Sequence, residues 1–337
     1  MSGPGSISRI AQLTALAEIL FVLAAGNIAG ALLYGAIVPA SVGAGEASEV
    51  VEGLYSGLRI LLRIGLIAAF GLALLRYRRG TTLRDAGLTR AGKPLGHLIG
   101  VGMLLGGFSS FLAGLVFAIH AVAPFGEGLA VWDEVRVAPR NSAFYVDLLA
   151  TSILIPPLIE EIMARGYMRL RLVESYGVMG GVVLAGLIFA LAHGKFISTD
   201  PLLTVFMVML VVSSVSWSWI AQTTGSLIPP MVGHALTNGL ATLYLFDVWI
   251  PFAAVCALML WQRRPVMVAL RRFAEEWRAD SQKSSLWLGI FVLVAVIAIL
   301  TVAMSTIGRM NALILVGALS LVVTIANVVM EKRTRAG

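Results

Sequence analysis

Hydrophobic positions along this chain fall in long unbroken runs, not in the alternation of strands or the narrow stripe of a soluble helix. A membrane span needs roughly 20 predominantly apolar residues. Such runs predict spans over 11–39, 54–75, 95–122, 178–197, 201–222, 227–247, 248–262, 285–307 and 310–330, with a further one starting near Ser142. The polar positions collect between them. The connector 40–52 carries Glu46, Glu49 and Glu52, and the segment 123–141 carries Glu127, Asp133, Glu134, Arg136 and Arg140. Arg76, Arg78 and Arg79 close the second run. One stretch, 264–283, has a different period. Its Arg271, Arg272 and Arg278 alternate with Phe273 and Trp277, which suits an amphipathic helix on the membrane surface.

The predicted fold class is all-α, a polytopic transmembrane helix bundle of about ten spans, within a range of eight to ten. Composition supports this. Of 337 residues, 58% are hydrophobic and 13% charged, against about 25% charged in a soluble domain. Mean hydropathy is +0.90. The net charge of +7 belongs to basic loops and does not point to nucleic acid. Cys256 is the only cysteine, so no internal disulfide framework exists. The first run is too long for the apolar region of a secretory signal and reads as an uncleaved span. Basic loops face the cytoplasm, which places both termini inside and the acidic connectors outside. Residues 1–141 form N-terminal spans, 142–250 a helical core, and 251–337 the C-terminal spans with the basic segment.

Polar residues inside the runs are few, and a charge at the bilayer centre costs about 2.5–3.5 kcal/mol. Glu160, Glu161 and Arg165 lie within six residues, just after Pro156-Pro157. Residues four apart share a helix face. Glu161 can therefore pair with Arg165, while Glu160 points elsewhere. Pro156-Pro157 removes two backbone donors and can open the helix to water. The same three charges also fit a buried ion network at a helix end. His193 follows Phe189 at a spacing of four, and His234 precedes Asn238 at the same spacing. Asn238 fits a donor to a substrate oxygen or a hydrogen bond between helices. A carboxylate and an imidazole can hold and deprotonate a water. A second imidazole with an amide can stabilise an oxyanion. His97 and His120 sit near span ends and read as interfacial. Arg59 and Arg63 share one face and read as a snorkelling or bundle-facing basic stripe.

Glu160-Glu161-x-x-x-Arg165, Phe189-x-x-x-His193 and His234-x-x-x-Asn238 follow in the order and spacing of the three motifs of the CPBP family. The chain resembles these CAAX prenyl endopeptidases and bacteriocin-processing or bacteriocin-immunity membrane proteins over about residues 145–247. Arg165-Gly166-Tyr167 adds to the likeness. The resemblance implies an intramembrane endopeptidase in which Glu160 and His193 activate water. It assigns His234 and Asn238 to the oxyanion, with Glu161, Arg165 and Phe189 in support. A metal-free mechanism is preferred. The zinc alternative would use Glu160, His193 and His234, although the sequence lacks the His-Glu-x-x-His pair of zinc proteases. The expected partners are membrane lipids and a peptide or lipid-modified protein substrate, and a prokaryotic plasma membrane is the expected location.

Two other readings fit the same residues. An ion-coupled transporter would use them as a proton relay and would pair Pro156-Pro157 with Pro229-Pro230 as corresponding broken helices. A non-catalytic scaffold or immunity factor would keep the fold without the chemistry. The protease reading makes a demand on depth. If the fourth span ended near Ile159, His193 would lie about 24 Å away from Glu160. A shared site requires the Glu160 helix to continue to about Leu172, with the span proper near 150–172, a short or tilted fifth span, and His193 inside the bundle.

Overall fold

The computed structural model describes residues 9–39, 48–126, 140–194, 199–245, 250–279 and 283–336. Glu46, Glu127, Asp133, Glu134 and Arg136 of the acidic connectors lie outside these residues. The described residues are mostly helical and include no strand. In chain order the helices are α1 (Arg9–Ile37), α2 (Glu49–Arg79), α3 (Leu95–Val122) and α4 (Ser142–Leu148). After α4 come a π-helical segment (Leu149–Leu154), α5 (Ile155–Glu161), a second π-helical segment (Ile162–Met168) and α6 (Arg169–Leu191). The remainder are α7 (Pro201–Thr224), α8 (Ile228–Leu245), α9 (Ile250–Trp261), α10 (Arg263–Ala279), α11 (Lys283–Ile307) and α12 (Arg309–Ala336).

Among the described residues seven helices are long and apolar enough to cross a membrane, or eight if α9 and α10, bent by 70°, are one span. The chain is thus a polytopic helical membrane protein. The sequence expectation of about ten exceeds this count for two reasons. The run Ser142–Leu191 counts once although it folds back on itself. The 18 residues of α8 include two prolines, His234 and Asn238, and α8 is not among the seven.

The fold-back is set by Gly177, whose φ of 76° and ψ of 174° break α6 into two arms. Such a conformation is open to glycine and closed to most residues. Gly181 then lets the arms touch, since a Cβ there would stand 2.7 Å from the Leu172 carbonyl carbon. The Glu160 helix therefore continues through Leu172 to Tyr176, four residues beyond the minimum the shared site required. The returning arm, 178–191, is short. Glu160 lies 17 residues before Gly177 and His193 16 residues after it. At 1.5 Å per residue both are about 24–26 Å from the turn and so at one depth.

α3 and α8 pack backbone to backbone. A Cβ on Gly102 would stand 2.7 Å from the Pro229 carbonyl oxygen, and one on Gly106 equally close to that of Gly233. Small residues permit this approach between membrane helices, and it fixes α8 at the residue before His234. Pro229-Pro230 opens α8, whereas Pro156-Pro157 lies inside a continuous helical run. The two proline pairs are not corresponding breaks. α1 packs against α2 and α12. On the α1–α2 face, the Arg63 side chain donates to Asn27 Oδ1, but Arg59 and Arg63 are both exposed, which fits a snorkelling pair and not one buried in the bundle.

Candidate active site

The acidic helix delivers its two carboxylates differently. Glu161 is fully buried, and its Oε1 accepts from Arg165 at 2.9 Å, the i,i+4 pair expected from the sequence. Glu160 is turned away and keeps 13% of its side chain exposed. Arg165 is also fully buried and is enclosed on every side. Its other guanidinium nitrogen donates to the Ser214 carbonyl (3.1 Å) and hydroxyl (2.5 Å). Its Cζ lies 4.3 Å from the ring centre of Phe189 and 5.2 Å from that of Trp217. A buried guanidinium needs both a counter-charge and hydrogen bonds; both terminal nitrogens have them, while Nε makes none among the described residues. π-Helical turns before and after α5 re-aim these side chains, as such turns often do at functional sites.

His234 from α8 stands between the two glutamates. Its Nδ1 is 2.9 Å from Glu161 Oε1, and its Nε2 is 3.9 Å from Glu160 Oε2. Glu161 already holds Arg165 and accepts at this distance, so Nδ1 is the donor and Nε2 faces Glu160. The 3.9 Å gap is too long for a hydrogen bond and suits one oxygen touching both groups. Trp217 packs on the His234 ring at 4.7 Å and anchors its indole N–H on the Ser109 hydroxyl of α3 at 3.0 Å.

His193 follows the end of the returning arm and is half-buried. Its ring lies 4.9 Å from Phe189, whose ring is 5.9 Å from His234. Its Nδ1 donates to the Phe189 carbonyl at 3.0 Å, since a carbonyl can only accept. That bond turns Nε2 away from the helix end. Arg165 against Phe189 and Gly181 against Leu172 are two levels of one antiparallel register, and His193 falls at the level of Glu160 and Glu161. The structure thus brings the acidic stretch and His234 into contact, and sets His193 against Phe189, the ring that also meets Arg165 and His234.

Asn238 is placed by a separate constraint. Its amide donates to the Ser152 carbonyl at 2.8 Å. In a regular α-helix Ser152 would receive the N–H of residue 156, which is a proline and has none. One Asn238 N–H therefore serves the helix contact that the sequence left open as an alternative, and the amide has a second. Among the described residues no three His, Cys, Asp or Glu side chains form a group that could hold a metal ion.

Trp217, Ser214 and Ser109 escaped the sequence reading. A signal existed: Ser213-Ser214-Val-Ser216-Trp217-Ser218-Trp219 is unusually polar for a span. Glu18 was missed as well. It is 1% exposed in α1, pairs with Arg78, and lies 2.9 Å from Arg171. Tyr167 Oη is 3.5 Å from its other oxygen. This second charged centre ties α1 and α2 to the hairpin arm that carries the site. His120 contacts the backbone of Phe125 beyond α3, and His97 is exposed in the first turn of α3, as expected of span ends.

Residues 142–240 match the family model described as type II CAAX prenyl endopeptidase, Rce1-like. Over these residues the chain is similar to the Rce1-like family. The match takes in α4 through most of α8 and includes each of Glu160, Glu161, Arg165, Phe189, His193, His234 and Asn238. The family is one of membrane proteases. The Rce1-like core is under a third of the chain, and α1–α3 and α9–α12 fall outside it. Comparisons with curated proteins and with solved structures gave no match.

Proposed function

We propose that this protein is an intramembrane endopeptidase that hydrolyses a peptide bond with water as the nucleophile. The observation that carries the proposal is the 3.9 Å gap between Glu160 Oε2 and His234 Nε2, with His234 held from behind by Glu161. Glu160 is the base. It takes a proton from a water that also contacts His193 Nε2, and the hydroxide adds to the carbonyl carbon of the substrate. His234, when both ring nitrogens carry a proton, keeps one on Glu161 and donates the other to the tetrahedral oxyanion. The second N–H of Asn238 is the other donor. Glu160 then passes its proton to the departing nitrogen. One water is consumed, and an acid and an amine result. Arg165, Glu161 and Phe189 position these groups and do not touch the substrate.

The reaction is written without a metal. No step needs a Lewis acid; His193 and His234 have Nδ1 committed to Phe189 and Glu161, which leaves Nε2 of each as the ring nitrogen that would meet a water, or a zinc ion in the alternative set. The substrate class we propose is a membrane-associated or lipid-modified protein tail, in keeping with the prenyl endopeptidase description of the family model. We further propose that both termini face the cytoplasm of a prokaryotic cell. A cleavage assay on reconstituted protein with a farnesylated Cys-a-a-X peptide tests this reading. Wild type is expected to release the terminal tripeptide, and Glu160→Gln and His193→Ala are expected to release none above background.

A further inference from the structure

α10 is bent 70° from α9 and lies over the outer side of α3 and α7. Its apolar face does not pack flush. It roofs a groove of about 490 Å³ whose walls include Leu105 and Phe108 of α3, Val212 and Trp219 of α7, and Leu270 and Phe273 of α10. That volume falls in the range of roughly 300–1,000 Å³ typical of ligand sites. The groove opens sideways, since Val212 and Leu270 are both exposed at its edge.

The lining has almost no polar character left to offer. Ser216 also faces the groove, but its hydroxyl donates to the Val212 carbonyl at 2.8 Å. The indole N–H of Trp219 donates to Glu276 at 2.7 Å. A peptide would lose its backbone hydrogen bonds here, whereas a hydrocarbon chain loses nothing. The rest of α10 is cationic. Arg263, Arg264, Arg271, Arg272 and Arg278 are all exposed, against Glu275 and a Glu276 already bonded to Arg272 and Trp219. Basic amphipathic helices of this kind attract anionic lipid headgroups.

We propose that this groove is a binding site for one anionic phospholipid, with an acyl chain between α3, α7 and α10 and the phosphate against the arginines of α10. The lipid holds α10 against α7 on the far side of the helix that carries Trp217. The site is separate from the Glu160–His234 gap, and it stands whether or not the chain is a protease.

The test uses the full-length protein in detergent micelles, with phosphatidylglycerol or phosphatidylcholine carrying dibrominated acyl chains, which quench nearby tryptophan. Phosphatidylglycerol is expected to quench at an about thirtyfold lower concentration than phosphatidylcholine, as two nearby arginines would give. Trp219→Phe is expected to remove that headgroup-dependent component. Arg264→Gln combined with Arg271→Gln, both exposed and outside the core, is expected to bring the two curves together. Ala269→Phe, which fills the groove, is expected to weaken quenching by the anionic lipid while the arginines remain. Identical curves for the two lipids with wild type would overturn the proposal. So would an anionic-lipid curve that Ala269→Phe leaves unchanged.

Discussion

Glu161 and His234, 73 residues apart in sequence, are joined by a 2.9 Å hydrogen bond from Nδ1 to Oε1. The same carboxylate oxygen accepts from Arg165. One buried acid thus both neutralises a buried guanidinium and fixes which imidazole nitrogen faces Glu160.

From this follows a division between the adjacent glutamates. Glu161→Gln leaves the Arg165 guanidinium buried without its partner, a change that typically costs about 3–5 kcal/mol. The variant is expected to show a lowered thermal midpoint in detergent as well as lost activity. Glu160→Gln breaks no hydrogen bond of the fold and is expected to keep the wild-type midpoint. Differential scanning fluorimetry of the two variants side by side checks this. Equal midpoints for both would contradict the assignment.

Asn238 and Pro156 should couple. Asn238→Ala strands the Ser152 carbonyl, with an expected cost of about 1–3 kcal/mol. Pro156→Ala supplies the N–H that a regular helix would aim at the same carbonyl. The double variant is therefore expected to lose less stability than the two single losses added together, as a thermodynamic cycle of unfolding midpoints would show. Strict additivity would mean that the Asn238–Ser152 bond does not replace the missing helix bond.

Glu18 should behave as a structural keystone without touching the chemistry. It faces Arg78 and Arg171 while 1% exposed, so Glu18→Ala takes the buried counter-charge from both, although Arg171 keeps Glu174 at 3.1 Å. A loss of about 3–5 kcal/mol is expected. Arg171→Met together with Glu18→Met removes both signs and should recover part of it. Thermal unfolding of the single and double variants reads the difference, and equal losses in both would argue against the ion network.

The hairpin register gives a test at a distance from the site. A methyl at Gly181 would enter the Leu172 backbone, so Gly181→Ala must part the two arms and shift His193 relative to Glu160. Displacements of about 1 Å can cost roughly 100-fold in rate. A fall in turnover of that order is expected with Glu160 and both histidines intact. Undiminished turnover would show that His193 does not need the register.

The long apolar runs, the i,i+4 spacing of Glu161 and Arg165, and the three spaced motifs made the bundle and a meeting of His234 with the acidic pair legible in the sequence, with His193 expected beside them. The depth of that meeting was not, because it turns on one glycine. Gly177 looks like any other small residue of a membrane helix, yet its positive φ converts one long helix into two arms. The partners of Arg165 were equally hidden. Trp217 and Ser214 lie about 50 residues away in sequence and share no spacing with it. Glu18 stood alone in an otherwise uncharged stretch of α1, and its counter-ions in α2 and α6 appear only once the helices are packed.

The central claim is that Glu160 activates water beside His234. Its most direct test is the initial rate of tripeptide release from a farnesylated Cys-a-a-X peptide by protein reconstituted in liposomes, wild type against Glu160→Gln. A loss of about 100-fold or more is expected for a missing general base, at an unchanged thermal midpoint. Equal rates for wild type and Glu160→Gln, or no release by either, would contradict it.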